Sequence, residues 1–126
     1  MKILEEKLGY HFKNPSLLEH AMTHSSYANE HRSEGVTSNE RLEFLGDSVL
    51  GLVVAQHLFS SHPNMPEGEL TRTRAALVCE ESLYEVAKAL DLGAHLKLGK
   101  GEAAGGGRTR PSIFADATEA TLAAVY

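Results

Sequence analysis

Five acidic side chains lie at helical spacing in two short stretches of the sequence. The first stretch, NERLEFLGDSVL at residues 39–50, carries Glu40, Glu43 and Asp47, and a later stretch carries Asp116 and Glu119. At about 100° per residue, the first three fall within an arc of about 60°, one above another on a helix. The later pair, three residues apart, shares a helix face in the same way. The sequence therefore predicts two helices, each with one acidic stripe.

Carboxylates grouped this closely need a partner or a proton that offsets their mutual repulsion. Two ionised carboxylates ~5 Å apart repel by about 3 kcal/mol at an effective dielectric constant near 20, and a domain is stable by only ~5–15 kcal/mol. Protonation, basic partners or a metal can compensate, but Arg41 points about 100° away from the first stripe. Mg²⁺ prefers oxygen ligands and takes a few carboxylates together with water and substrate phosphate. The pattern therefore favours a divalent-cation site.

The alternative is a solvated acidic face on each of two separate helices, and either stretch alone favours that alternative. Two glycines argue against it. Gly46 and Gly51 lie inside an apolar helical pattern, where glycine costs ~0.5–1 kcal/mol relative to alanine. We therefore expect another backbone to approach closely at these positions. Because Gly46 is next to Asp47, a second helix would come near the acids there.

The surrounding pattern predicts an all-α fold in one domain. Asn14 and Pro15 read as an N-cap and first helical residue, Ser38 or Thr37 as the cap of the long acidic helix, and Pro111 as the start of the last helix. No segment alternates in the manner of a strand. We predict helices over residues 3–8, 16–28, 39–62, 66–90 (one or two) and 111–126, with a glycine-rich loop over 91–110.

Composition bounds the class of protein. The chain has 126 residues, a net charge of −5 and one cysteine, which cannot form an internal disulfide and fits a reducing cytoplasm. No apolar run approaches the ~20 residues of a membrane span, and the N-terminus is too acidic for a signal peptide. We therefore expect a cytoplasmic protein without a membrane segment. The negative charge alone argues against nucleic acid, but four of the twelve basic residues are gathered between Lys97 and Arg110.

His20 and His24 are four residues apart, a spacing that allows zinc binding on one helix face. No third ligand of matching spacing accompanies them. A local structural role or a contact with nucleic acid is the favoured interpretation of both.

The stretch NERLEFLGDSVLG is similar to the signature of the ribonuclease III family, the double-stranded-RNA endonucleases. Three further stretches resemble the family's segments in the same order: AMTHSSYANE, PEGELTRTRAALV and GGGRTRPSIFADATEATLAAVY. The likeness covers almost the whole chain. It implies the all-helical endonuclease-domain fold, working as a symmetric homodimer. It also implies divalent-metal hydrolysis of both RNA strands, as in processing of rRNA and mRNA precursors, leaving 5′-phosphate and 3′-hydroxyl ends.

The resemblance assigns roles residue by residue. It implies that Glu43, Asp116 and Glu119 ligate Mg²⁺, with Mn²⁺ as a substitute. Asp47 would be the essential acid that organises the attacking water with Glu119. These assignments agree with the chemistry, because ions held by carboxylates activate water and stabilise the leaving oxygen of a phosphodiester.

Other positions receive secondary roles. Glu40 and Glu67 correspond to further acids near the catalytic valley, and Phe44 resembles the aromatic residue that inserts into the partner subunit. Four arginines are candidates for contact with RNA phosphates, although ordinary surface charge is an equally good interpretation: Arg72, Arg74, Arg108 and Arg110.

Three departures from the family pattern stand out. Pro111 replaces a usual acidic or polar residue, which is harmless at a first helical position. Thr118 and Thr121 replace larger apolar residues, so we expect looser packing behind the acids of the last helix. The sequence stops at Tyr126 within a helical pattern. We therefore expect a C-terminally truncated catalytic domain over 1–126, without the double-stranded-RNA-binding domain, and weak, salt-dependent RNA binding.

Two other functions are compatible with parts of the pattern. All-helical nucleotide pyrophosphohydrolases also hold Mg²⁺ with carboxylates on helices. A non-catalytic family member would bind RNA or ribosomes, but it has no use for the uncompensated acids Glu43, Asp47, Asp116 and Glu119.

Overall fold

The computed structural model describes all residues 1–126, and every regular element in it is helical, as predicted. One isolated bridge, between Thr23 and Lys97, is the only extended pairing. Three short 3-10 turns lie at Arg32–Glu34, Leu92–Ala94 and Gly107–Thr109. The eight α-helices are α1 (Lys2–Leu8), α2 (Pro15–Ala21), α3 (Ser25–Glu30), α4 (Glu40–Ser61), α5 (Glu67–Leu77), α6 (Glu80–Ala89), α7 (Lys100–Ala104) and α8 (Pro111–Val125).

The two acid-bearing helices, α4 and α8, pack directly against each other. A Cβ added at Gly46 would overlap the carbonyl oxygen of Glu119, so the two backbones touch there. This confirms the close approach predicted at Gly46. The same prediction is wrong for Gly51, where an added Cβ would meet nothing within 4 Å, because Gly51 lies about 140° round the helix from Gly46.

Helix α8 forms the centre of the core. Its alanines Ala117 and Ala120 are completely buried, and Ile113 and Phe114 continue the same apolar cluster toward α6 and the chain's first third. Small side chains let neighbouring helices approach closely, whereas Leu4, Phe12, Leu18, Met22 and Leu92 fill the remaining volume.

The two threonines of α8 do not loosen this packing, contrary to expectation. Thr118 and Thr121 are 5% and 3% exposed. The Thr118 hydroxyl lies 2.9 Å from the carbonyl oxygen of Phe114 and 3.1 Å from that of Leu83, and the Thr121 hydroxyl donates to the Ala117 carbonyl at 2.7 Å. Each buried hydroxyl is therefore satisfied, which removes the main cost of placing threonine there.

Several helix ends follow the sequence signals. Gly9 ends α1 in the left-handed conformation with φ 68°, and the Asn14 side chain accepts the Ser16 N–H at 3.3 Å. The start of α4 differs, because Asn39 occupies the N-cap position and Thr37 takes no part. The Ser38 hydroxyl accepts the Glu40 N–H at 3.4 Å, while the Asn39 side chain donates to the Ala21 carbonyl at 2.9 Å.

The predicted helix over 16–28 is wrong, because the chain leaves helical geometry between α2 and α3. Its backbone groups there bond to distant segments instead: Asn39 N–H to the Thr23 carbonyl at 2.8 Å, Lys97 N–H to the Met22 carbonyl at 2.8 Å, and His24 N–H to the Lys97 carbonyl at 3.0 Å. These bonds also structure residues 91–110, which contain α7 and two 3-10 turns rather than only loop.

Histidines 20 and 24 therefore do not share a helix face. His20 Nε2 donates to the Ser38 carbonyl at 2.7 Å, whereas the His24 side chain caps α3. The zinc alternative loses its geometric basis.

Helix α4 presents a second, exposed face that is apolar. Phe44, Leu52 and Phe59, within an arc of about 80°, are 80%, 63% and 75% exposed. By length and composition alone α4 could cross a membrane, and only 11% of its apolar stretch is buried. One such helix, judged by length and composition only, is weak evidence for a membrane protein.

The backbone contact at Gly46 can be tested with a matched pair of substitutions. Gly46→Ala should lower the free energy of unfolding by about 3 kcal/mol or more, because the added methyl forces α4 and α8 apart. Gly51→Ala should be neutral or stabilise by up to ~1 kcal/mol, since alanine is the better helix former. Urea denaturation followed by circular dichroism measures both, and equal effects would contradict the asymmetry.

Candidate metal centre

The contact between α4 and α8 brings the predicted acids together. Glu43 of α4 and Asp116 and Glu119 of α8 place one carboxylate oxygen each within 4.8 Å of the others. Asp47, one turn after Glu43, lies beside Glu119 and contributes to its raised pKa, and Glu40 lines the same cleft. We call these five residues the acidic cluster. Asp116 and Glu119 are half-buried, whereas Glu40 and Asp47 are exposed at the mouth.

The carboxyl groups of Glu43, Asp116 and Glu119 have raised pKa values. Burial is the largest cause that raises the pKa of Glu43 to about 7 and that of Glu119 to about 8. Neighbouring carboxylates add to both shifts, chiefly Asp116 for Glu43 and Asp47 for Glu119. Burial also raises the pKa of Asp116, while a hydrogen bond from Glu43 acts against that rise.

No lysine, arginine or histidine forms an ion pair with the acidic cluster. The ion pairs of the structure lie elsewhere, and none includes a carboxylate of this group. The charge must therefore be met by protons or by a bound cation. Three convergent carboxylates with water access suit a hard divalent ion, which prefers oxygen ligands. The donor set thus fits Mg²⁺ or Mn²⁺ better than zinc, which favours nitrogen and sulfur.

Two predicted site residues lie outside the cluster. Glu67, at the start of α5, is exposed and lines a separate groove with Phe59, Leu70 and Arg74. Phe44 lies at the edge of the cluster, with its ring 80% exposed rather than packed against its own chain.

The four arginines divide into two pairs. Arg108 donates to the carbonyls of Gly93 and Leu96 at 3.1 and 2.8 Å, and Arg110 pairs with Glu102 at 3.1 Å. This pair ties the loop before α8 together, so its charge is largely used within the chain. Arg72 and Arg74 are exposed on α5 and form no ion pair.

Sequence reasoning missed two groups that act on Asp116. Glu80, at the start of α6, raises its pKa, and His24, at the start of α3, lowers it. The sequence offers little signal for either residue, because both are far from Asp116 along the chain and only tertiary packing brings them near it.

Comparison with known proteins gives a consistent result. A family model described as Ribonuclease-III-like matches residues 14–126. Ribonuclease 3 of Listeria monocytogenes is 54% identical and that of Oceanobacillus iheyensis 57% identical, each over 123 residues. Both alignments cover 98% of this chain and 54% of the relative, so the chain spans about half the length of the curated relatives it matches.

Solved structures extend the likeness to the fold. The nuclease domain of ribonuclease III from Campylobacter jejuni aligns with a TM-score of 0.91 and 44% identity, covering 98% of this chain and 82% of that one. That structure is described as showing flexibility in a region involved in dimer formation. A second structure of the same domain aligns with a TM-score of 0.91 and 43% sequence identity.

The raised pKa values predict a pH-dependent stability difference. A carboxyl whose pKa rises from 4.5 in the unfolded chain to about 8 in the fold loses its stabilising proton as pH increases through that window. Without divalent cations, Glu119→Gln and wild type should unfold alike at pH 4.5. At pH 8.5 the variant should be more stable by about 1 kcal/mol after allowance for solvent screening.

Thermal denaturation at both pH values measures this difference, with Glu6→Gln as the exposed-acid control. If the difference in stability between Glu119→Gln and wild type stays constant across the pH range, the pKa of Glu119 is not raised by folding.

Proposed function

The chain belongs to the ribonuclease III family, and on this premise we propose that residues 1–126 are the catalytic domain of a Mg²⁺-dependent endonuclease that hydrolyses double-stranded RNA. The products would carry 5′-phosphate and 3′-hydroxyl ends. The observation that supports this most strongly is the acidic cluster, in which three carboxylates converge with no basic partner. A cytoplasmic location agrees with a role in RNA processing.

The acids of the cluster would have different roles in the reaction. Glu43, Asp116 and Glu119 would hold Mg²⁺, or Mn²⁺ in its place, because their oxygens already lie within 4.8 Å of one another. Such ions stabilise charge on the phosphoryl group and make water a stronger nucleophile. Asp47 is exposed and lies beside Glu119, so its carboxylate can accept a proton from water and orient that water toward the phosphate. Loss of the Glu119 proton on metal loading would strengthen that acceptor.

The remaining candidates take supporting roles. Glu40 lines the cleft and would contact the hydration shell of a second ion. Glu67 is remote from the acidic cluster of its own chain, so any part in catalysis requires another molecule. Arg72 and Arg74 are the better candidates for RNA phosphates, since Arg108 and Arg110 are held by internal acceptors.

A symmetric homodimer would cover the exposed face of α4. Phe44, Leu52 and Phe59 fall within an arc of about 80° round α4 and are all more than half exposed, and apolar surface of this kind marks interaction sites. The groove between α4 and α5 lies beside Phe59 and extends the same surface. A C2 interface buries the face of both copies at once.

The function is tested by cleavage of duplex RNA with Mg²⁺. Glu119→Gln and Asp47→Asn should each lower the cleavage rate by about 10²-fold or more, because each removes an acid needed at the reacting phosphate. Both variants should remain folded, since they relieve repulsion between carboxylates. Glu6→Gln, which changes an exposed acid of α1, should cleave like wild type.

The outcomes separate the competing functions. Equal cleavage by wild type, Glu119→Gln and Asp47→Asn would refute the site assignment. Pyrophosphate release from nucleoside triphosphates without RNA cleavage would point to a pyrophosphohydrolase, and duplex binding without cleavage would point to a binding module.

The dimer is tested with an exposed aromatic residue. Phe44→Ala should weaken self-association at least ~10-fold, because a ring buried in a partner is a typical binding hot spot. Sedimentation velocity over a range of concentrations measures this. Ile3→Ala is the matched control, since Ile3 is 63% exposed but lies on α1. Similar association constants for both variants would contradict an interface at Phe44.

A further inference from the structure

We propose that Asn39 is a positioning residue for Glu43, because its buried side chain fixes the first turn of α4 to the segment that joins α2 and α3. The inference rests on the proposed function, since it gives Asn39 a task at an acid that would hold the metal. Asn39 lies outside the acidic cluster and acts through the backbone of α4.

The side chain of Asn39 is buried but does not cap its helix. The residue is 4% exposed and occupies the N-cap position of α4, where an asparagine oxygen usually accepts an N–H of the first turn. No such bond forms, and the side-chain Nδ2 instead donates to the Ala21 carbonyl at 2.9 Å. Since burying an amide is unfavourable unless it is hydrogen-bonded, the bond to Ala21 determines where this side chain lies.

The backbone of Asn39 is hydrogen-bonded in both directions. Its N–H donates to the Thr23 carbonyl at 2.8 Å, and its own carbonyl accepts the Glu43 N–H at 2.8 Å. Glu43 is therefore one hydrogen bond away from a residue that is attached to residues 21–23 by both its side chain and its backbone.

Residues 21–23 belong to the core that surrounds α8. Ala21 and Met22 are completely buried, in the same apolar cluster as Ala117 of α8. The Met22 carbonyl also accepts the Lys97 N–H at 2.8 Å, so a further segment holds residues 21–23 in place. Because α2 packs on α8, the bonds that this segment accepts from α4 fix the first turn of α4 relative to the helix that carries the other two metal-binding acids.

Helix α4 needs two anchors, because a single contact leaves a helix free to pivot. The backbone contact at Gly46 holds α4 against α8 at one point. Asn39 precedes Gly46 by seven residues, about 10 Å along the helix axis, and Glu43 lies between them. Site residues keep their geometry when the residues that support them are fixed by packing and hydrogen bonds. The two anchors together hold a Glu43 oxygen within 4.8 Å of oxygens of Asp116 and Glu119 before a cation arrives.

Asn39→Ser separates positioning from helix initiation. Serine is as good an N-cap residue as asparagine, and the backbone bonds of residue 39 remain, but the hydroxyl is too short to reach the Ala21 carbonyl. We expect about 10-fold weaker Mn²⁺ binding, measured by calorimetry without RNA, because residues that support metal ligands typically contribute this much to affinity. The Mg²⁺ concentration for half-maximal cleavage of duplex RNA should rise by the same factor, with a rate close to wild type at saturating Mg²⁺.

Asn14→Ala is the matched control. The Asn14 side chain also bonds to the backbone, accepting the Ser16 N–H at 3.3 Å, but it lies at the opposite end of α2 from Ala21. Loss of this cap should lower the melting temperature by roughly 4 °C and leave Mn²⁺ affinity unchanged. A folded Asn39→Ser with wild-type Mn²⁺ affinity would overturn the proposal, as would an equal loss of affinity in Asn14→Ala.

Hydrogen exchange of the metal-free wild type keeps the proposal testable if Asn39→Ser fails to fold. Helix α5 offers an equivalent first bond, from the Leu70 N–H to the Pro66 carbonyl at 3.0 Å, where no side chain bonds at the N-cap. After correction for intrinsic rates, the Glu43 N–H should exchange at least ~10-fold more slowly than the Leu70 N–H, because the anchored turn opens less often. Similar rates would overturn the proposal. Slow exchange at Glu43 in a wild type that binds no Mn²⁺ would instead overturn the metal site of the proposed function, and with it the task of Asn39.

Discussion

The contact between the backbones of α4 and α8 at Gly46 is the constraint on which the rest of the molecule depends. Two helices with ordinary side chains between them keep their axes ~8–10 Å apart. Here the absence of a Cβ at Gly46 lets the carbonyl of Glu119 reach the α4 backbone. That contact brings acids from sequence positions 69 to 79 residues apart into one cleft. Buried alanines on other sides of α8, such as Ala117 and Ala120, let the rest of the core close around it.

This arrangement carries an electrostatic cost that the core must offset. Burial and mutual repulsion raise the pKa of Glu43 and Glu119 to about 7 and about 8, so the empty cluster retains protons near neutral pH. A divalent cation would replace those protons and convert repulsion into attraction. The energy that destabilises the apo protein is thus available to bind the ion, which is a common relation between stability and function at active sites.

Two sides of helix α4 have different surroundings. One side holds Glu43 and Gly46 against α8, and the other exposes Phe44, Leu52 and Phe59. Because Phe44 follows Glu43 directly, a molecule that covers the ring lies within a few ångströms of the acidic cluster. In the proposed homodimer, assembly and catalysis would therefore be coupled through α4. In such an arrangement the separate groove beside Glu67 on α5 would approach the neighbouring copy rather than its own cluster.

The sequence by itself determined the helices that carry the acids, the face on which each acid lies, and the need for close approach at Gly46. These are local properties, since they follow from helical period, caps such as Asn14 and Pro15, and the rarity of glycine within apolar helices. Only the tertiary structure decided that α2 stops at Ala21 and that residues 91–110 contain α7 and two 3-10 turns. Hydrogen bonds between segments 16 to 75 residues apart, such as Asn39 N–H to Thr23 and Lys97 N–H to Met22, fix those features. Such bonds leave no periodic signal, because any residue has the backbone groups that form them.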